Sequence, residues 1–313
     1  MTLLSSGLTL TVTALVSLIL TPLDFLAARR LGAIDVPGDA RRMHKRPVPR
    51  LGGVSIFFSF LGLTLILCFD AAQSLFFAWA ATILRVCVGV LDDSHALSPT
   101  LKLLAQFGAA YVSTVGGNVM RVLRFGGVEL SAGWLSLPLT LIWIVTLINA
   151  HNFIDGLDGL CGGVVVAESA VLGLMALRVG NSVVATAAFI VCGACVGFLP
   201  YNLNGAKLFM GDTGSTFLGF IMAWLAVALI SDSNAAVTPS VYALLLLFAV
   251  PLADIAVAVT RRLAKGKSPF LPDRSHIHHM LADTSLGHLG ASRLLRLAAA
   301  LFAAIGYLIA SKS

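Results

Sequence analysis

The 313-residue chain is 58% hydrophobic and only 12% charged, with a net charge of +6. A soluble domain carries about a quarter charged residues, so the apolar surplus calls for burial in lipid. The positive balance does not point to nucleic acid, because the cations sit in short segments between apolar runs, without interleaved aromatics. On a membrane protein such loop residues mainly set orientation.

In chain order, runs long and apolar enough for membrane spans fall near Leu3–Leu26, Leu51–Phe69, Leu75–Leu91, Leu101–Val115, Trp134–Ile148, Leu160–Leu177, Val183–Leu199, Ser215–Ile230, Val241–Val259 and Leu294–Ala310. The expected fold is therefore all-α: a single polytopic membrane domain with about ten transmembrane helices. The first run lacks a positive stretch before it, and Arg29 and Arg30 follow it, so it reads as an uncleaved span and not a secretory signal. Between the fourth and fifth runs, "VMRVLRFGGVEL" alternates around Gly126–Gly127 and predicts a short β-hairpin. Cys68, Cys87, Cys161, Cys192 and Cys195 mostly lie inside apolar runs and read as small packing residues.

Ten alternating spans put both termini on one side. With that side outside, Lys102, Lys207, Arg261, Arg262 and most other cations fall in the inner loops or at their helix ends. Arg121, Arg124, Arg178 and Lys312 alone are placed outside, so the positive-inside rule selects extracytoplasmic termini and an extracytoplasmic hairpin.

The few acids cluster at span ends on the inner side. Asp92 and Asp93 follow the third run, Asp155 and Asp158 follow the fifth, and Asp212 precedes the eighth. A single Asp at a span end is usually a helix cap. Five in three loops on one face, each flanked by glycine, point instead to function, since ionisable groups at membrane depth are costly. Adjacent Asp92 and Asp93 repel, which a bound cation or a proton relieves. Asn149, Asn152, Asp155 and Asp158 recur every third residue and, if helical, share a face. Asn and Asp oxygens are hard ligands suited to Mg²⁺, which shares its shell with phosphates. Gly214–Ser215 opens a helix whose N-terminal amides favour an anion.

The inner cations include the loop "DVPGDARRMHKRPVPRLGG" with His44, and the segment "DRSHIHHML" with Arg274, His276, His278 and His279. Three histidines in four residues could bind Zn²⁺, but no cysteine completes such a site, and phosphate or nucleotide recognition fits better. Acids for Mg²⁺, cations for phosphates and a lipid setting together suggest phosphoryl transfer at a membrane surface. A proton-coupled transporter would also carry intramembrane acids, but it would not explain their gathering on one face or the histidine loop.

Five segments, "DVPGDARRMHKRPVPRLGG", "GVLDDSHALSPTLKLLAQ", "INAHNFIDGLDGL", "AKLFMGDTGSTFLGF" and "RRLAKGKSPFLPDRSHIHHML", follow in order from Asp35 to Leu281. In this the chain resembles the polyprenyl-phosphate N-acetylhexosamine-1-phosphate transferases, and most closely the branch using undecaprenyl phosphate and UDP-N-acetylglucosamine. The resemblance implies Asn152 and Asp212 as direct Mg²⁺ ligands, with Mn²⁺ as a substitute. It implies Asp92 and Asp93 beside the lipid phosphate and metal, Asp155 and Asp158 in support, Lys102 on phosphate, and the His276–His279 loop on the nucleotide sugar. It further implies a bacterial inner-membrane enzyme with a cytoplasmic site, feeding a lipid-linked cell-envelope glycan such as lipopolysaccharide. Members often continue with another span and a basic tail, whereas every motif here precedes Leu294. The sequence leaves open which UDP-N-acetylhexosamine is the donor, and the oligomeric state, a homodimer included.

Overall fold

The structure is a computed structural model that describes residues 2–37, 46–126, 128–232, 239–266 and 276–311. Two of the expected site residues, His44 and Arg274, lie outside the described residues. The chain is almost wholly helical: α1 (Leu3–Leu31), α2 (Gly53–Leu67), α3 (Ala72–His95), α4 (Pro99–Thr114), α5 (Ser136–Ile154), α6 (Leu160–Arg178), α7 (Ser182–Asn202), α8 (Gly211–Ile230), α9 (Val241–Leu247), α10 (Ala249–Ala264), α11 (Ile277–Ala282) and α12 (Gly287–Ala310).

Helix α1 shows what solvent the bundle is built for. Its buried stripe is Ser6, Thr9, Thr13, Ser17, Thr21 and Asp24, while Leu4 and Ile19 are 86% and 71% exposed. That polarity is inside out for water and correct for lipid. The stripe packs on α7 at Gly193 and Gly197, where an added Cβ would come within 2.3 Å of the Leu10 carbonyl and 2.2 Å of the Ala14 carbonyl. Ser17 donates to the Ala194 carbonyl across this seam at 2.7 Å. Pro22 inside α1 leaves the Leu18 carbonyl without its helical donor, and the Tyr201 hydroxyl of α7 donates to it at 3.1 Å.

The expectation of about ten membrane-crossing helices is corrected. Among the described residues seven helices are long and apolar enough to cross, or eight if α9 and α10 count as one broken span. Helix α2 has 15 residues and α4 has 16, which at ~1.5 Å per residue is well short of a hydrocarbon core of roughly 30 Å. The expected span Val241–Val259 bends by 80° between α9 and α10. Pro251 causes the break: its ring would clash with the Leu247 carbonyl four residues back, so α9 ends there, and proline is tolerated in the first turn of α10.

The bundle has two polar ends. At one, Arg178 donates to the Ser311 carbonyl, Asn181 to Asp232 and Ser231 to the Val119 carbonyl. The expected hairpin is at this end: β3 (Val122–Phe125) pairs with β4 (Val128–Ser131) in the register Val122↔Ser131, closed by Gly126 at φ +52°. At the other end a second two-stranded pair, absent from the sequence reading, joins β1 (Ile34–Asp35) to β2 (Val48–Pro49). Backbone bonds from Phe209 to Pro49 and from Gly52 to Phe209 tie β2 to the entry of α8.

Helix α8 is the axis, with all but its ends buried. Gly53 of α2 and Gly89 of α3 lie against its first turn so closely that a Cβ would come within 2.1 Å of the Gly214 nitrogen and 2.6 Å of the Thr213 Cα. Only glycine permits this, and it brings the end of α3 onto the start of α8. Cys68, Cys161, Cys192 and Cys195 are buried free thiols, as expected of packing residues, whereas Cys87 is exposed on the bundle surface.

Candidate active site

Five segments meet at the β1–β2 end. Asp92 and Asp93 come from the last turn of α3, Lys102 from the first turn of α4, Asn152 from the last turn of α5, Asp212 from the first turn of α8, and Arg50 from the residue after β2. Asp155 and Asp158 lie in the turn between α5 and α6, because α5 stops at Ile154; the polar face expected to run from Asn149 to Asp158 is helical only in its first half.

Asp93 is enclosed by donors. Its Oδ1 accepts from Arg50 Nε at 3.0 Å, Arg50 NH2 at 2.8 Å and the Asp212 amide at 3.0 Å. Its Oδ2 accepts from the Thr213 amide at 2.9 Å and the Thr213 hydroxyl at 2.7 Å. The anion expected at the α8 N-terminus is thus the protein's own Asp93 side chain. Burial opposes the charge on Arg50, but Asp93 and then Asp212 outweigh it and hold the guanidinium above its ordinary value.

Asp92 uses Oδ1 to accept the Leu97 amide at 2.8 Å and Oδ2 to accept Lys102 Nζ at 2.5 Å. The same ammonium donates to Asp212 Oδ2 at 2.7 Å. Asp212 Oδ1 accepts Asn152 Nδ2 at 3.1 Å, and that amide also donates to Ser215 at 3.0 Å. Asp92 and Asp212 thus share this one cation. Two carboxylates that converge on one cation, with a carboxamide against the second of them, are a hard-oxygen donor set that fits a divalent ion such as Mg²⁺. Asn152 can present its oxygen by an amide flip.

In front of this cluster opens a cleft of about 710 Å³ lined by Arg46, Arg50, Asn152, Asp155, Asp158 and Asp212, with Phe209 and His288 at its walls. Asp92 and Asp93 do not line it; both are buried behind Asp212. Burial first, then the charges of Asp212 and Asp93, push the Asp155 carboxyl well above its usual value. Asp158 Oδ2 accepts the Gly205 and Ala206 amides at 2.8 and 2.9 Å, which fastens the loop after α7 to the cleft floor.

The histidines form an adjoining buried group. His276 and His278 each direct Nδ1 at Asp254 of α10, at 2.7 and 3.1 Å. Arg262 NH2 donates to His276 Nε2 at 2.9 Å, so this imidazole carries its proton on Nδ1 and donates it to Asp254. The three side chains lie close enough for a metal ion. However, Asp254 already accepts from both rings, and a guanidinium abuts the group, so hydrogen bonding accounts for it without Zn²⁺. His276 and His278 are not on the cleft wall; His278 packs behind Gly156, where a Cβ would lie 2.6 Å from its Nε2. His279 is half-buried beside them.

The sequence reading missed Asp254, which sits alone in an apolar run. The only signal was that an acid in "PLADIAV" is expensive in lipid. It also missed Gln106, which exchanges hydrogen bonds with Asn149 one turn below Asn152, and the anchoring role of Arg50.

Residues 75–230, which carry Asp92, Asp93, Asp155, Asp158 and Asp212, match the family model described as glycosyl transferase family 4. A Bacillus subtilis protein named probable undecaprenyl-phosphate N-acetylglucosaminyl 1-phosphate transferase is 34% identical over 279 residues, covering 88% of this chain and 77% of the relative. An Escherichia coli undecaprenyl-phosphate alpha-N-acetylglucosaminyl 1-phosphate transferase is 33% identical over 302 residues, covering 90% and 77%. A Mycobacterium tuberculosis decaprenyl-phosphate N-acetylglucosaminephosphotransferase is 32% identical over 293 residues, covering 84% and 72%. Five motifs in order, a lipid-facing bundle that brings their described acids together, and these matches agree: the chain belongs to glycosyl transferase family 4, among the polyprenyl-phosphate N-acetylhexosamine-1-phosphate transferases.

Proposed function

We propose that the chain transfers N-acetylglucosamine 1-phosphate from UDP-N-acetylglucosamine to undecaprenyl phosphate, giving undecaprenyl-pyrophosphoryl N-acetylglucosamine and UMP. An oxygen of the lipid phosphate attacks the β-phosphorus of the nucleotide sugar, the bond to the UMP oxygen breaks, and the anomeric C–O bond is untouched, so the α configuration persists. The observation that carries this reading is the meeting of Asp92, Asp212, Asn152, Lys102 and Arg50 beside one open cleft at the end of a lipid-facing bundle.

Asp212 and Asn152, with Asp92 beside them, would hold Mg²⁺, which would supply charge neutralisation at the phosphates. Lys102 brings positive charge to the same phosphates. A phosphate monoester has its second pKa near 6, so the acceptor is already mostly dianionic at neutral pH and no strong base is required. Asp93 then acts by holding Arg50 and the start of α8, not by taking a proton. Asp155 lines the cleft, where burial and the charges of Asp212 and Asp93 favour its protonated form. The histidine group, packed behind Gly156 of the cleft, shapes the nucleotide-sugar side from behind, and on sequence grounds Arg274 and His44 serve the nucleotide sugar.

The site belongs on the cytoplasmic side of a bacterial inner membrane. Arg29, Arg30, Arg46, Lys207, Arg261 and Lys265 lie in the segments at the site end, while Arg121, Arg124 and Arg178 lie at the hairpin end, which is the asymmetry of the positive-inside rule. The product is a lipid-linked precursor for a cell-envelope glycan. The test is purified protein with undecaprenyl phosphate and a panel of UDP-sugars, following UMP. Release is expected with UDP-N-acetylglucosamine above all; release with another UDP-N-acetylhexosamine alone would reassign the donor, and none with any sugar would overturn the reading.

A further inference from the structure

We propose that Lys102 is the resident counter-ion of the metal position: its ammonium bridges Asp92 and Asp212, and a divalent cation binds there only by displacing it. This rests on the reading of Asp212 as a metal ligand. Lys102 Nζ lies 2.5 Å from Asp92 Oδ2 and 2.7 Å from Asp212 Oδ2. Asp92 Oδ1 is engaged by the Leu97 amide, and Asp212 Oδ1 already has the Arg50 guanidinium 3.9 Å away, whichever way the Asn152 amide is turned. The pair of oxygens left for a cation is therefore the pair that Lys102 now occupies.

No other described cation stands in that place. Arg50 is committed to Asp93 and is 3.9 Å from Asp212, and Arg85 donates to Thr216 one turn deeper along α8. An ammonium and a divalent ion cannot share the gap, because like charges at such a separation repel strongly. Lys102 is also suited to leave. Its backbone is fixed in the first turn of α4, capped by Ser98 and opened by Pro99, while its four-carbon stem is flexible. Displacement frees the ammonium for an anionic oxygen in the cleft, so metal arrival and phosphate binding by Lys102 occur in that order.

Two other roles for Lys102 predict different behaviour. A residue that only binds phosphate leaves metal affinity unchanged when no substrate is present. A residue that only holds the two carboxylates together makes metal affinity fall when it is removed.

The test uses the full chain in detergent, stripped with EDTA and titrated with Mn²⁺ while free Mn²⁺ is read by electron paramagnetic resonance, without substrates. Lys102→Met and Lys102→Gln are compared with the native chain, and Asp212→Asn marks the site. The native chain should bind one Mn²⁺ that Asp212→Asn loses, and both Lys102 variants should bind it about tenfold tighter or more. Acylation of Lys102 by an amine-directed reagent, followed by peptide mass spectrometry, should quicken when Mn²⁺ is added to the native chain. Equal or weaker Mn²⁺ binding by both variants would overturn the exchange while leaving the metal site intact. If Asp212→Asn left Mn²⁺ binding unchanged, the metal assignment itself would fail, and the exchange with it.

Discussion

Asp93→Asn tests whether Asp93 works through α8. The native carboxylate accepts from Arg50 Nε and NH2, from the Asp212 and Thr213 amides and from the Thr213 hydroxyl, all at 3.0 Å or less. Asparagine removes the charge and turns one acceptor into a donor facing other donors. Losing hydrogen bonds to a charged group costs roughly 1.5–3 kcal/mol, or about tenfold to a hundredfold in rate if it is expressed in the transition state. The mechanism is displacement of Asp212, whose amide is one of the five donors; misplacement by about 1 Å can cost a hundredfold. The fall should therefore be in kcat, with KM for both substrates nearly unchanged. Arg50→Gln should give a similar loss, since it breaks the same ion pair. Steady-state UMP release for both single variants and the double variant completes the cycle. Because the two residues act through one contact, the double variant should be little worse than the poorer single one. Losses that multiply, or an Asp93→Asn effect confined to KM for the lipid, would refute the positioning argument and return Asp93 to direct contact with substrate.

Asp212→Ala should lower the rate by several orders of magnitude while the protein still inserts, and excess EDTA should abolish native turnover; full turnover in EDTA would remove the metal from the account. For Asp155, burial and the charges of Asp212 and Asp93 hold the folded-state pKa well above the unfolded value near 4. The folded protein then binds this proton more tightly, and stability declines as pH rises between the two values. In divalent-free detergent, Asp155→Asn should thus melt higher than the native chain above roughly pH 4, by a margin that widens as pH rises toward the folded-state value; a margin independent of pH would contradict this. His278→Asn should raise KM for the UDP-sugar by about tenfold to a hundredfold with little change in KM for the lipid. Asp254→Ala should reproduce that split, because it releases the same ring; an effect on kcat alone for both would detach the histidine group from the nucleotide sugar.

The acids of the site were legible in the sequence because they stand out chemically: five carboxylates at span ends in a chain this apolar are hard to miss. Their individual jobs were not. That Asp93 caps α8 depends on Gly53, Gly89 and Gly214 letting three backbones touch, a contact between segments about 120 residues apart in sequence with no local pattern. Asp254 was hidden by its neighbours, since one acid in an apolar run hardly lowers mean hydropathy. The hairpin was readable from its alternation and paired glycines, whereas β1 and β2, two residues each, carry no such pattern and are held by pairing with each other and by the bond from Phe209 to Pro49 of β2. Hydropathy found every long helix but overcounted spans, because it does not register that α2 and α4 are short or that Pro251 breaks the α9–α10 run.

The claim at the centre is that sugar and phosphate move together. UDP-N-acetylglucosamine carrying ³²P in the β-phosphate, incubated with the purified protein and undecaprenyl phosphate, measures this directly. The label should appear in the extracted lipid in one-to-one ratio with unlabelled UMP. Label retained in released UDP, with the sugar alone on the lipid, would contradict the account.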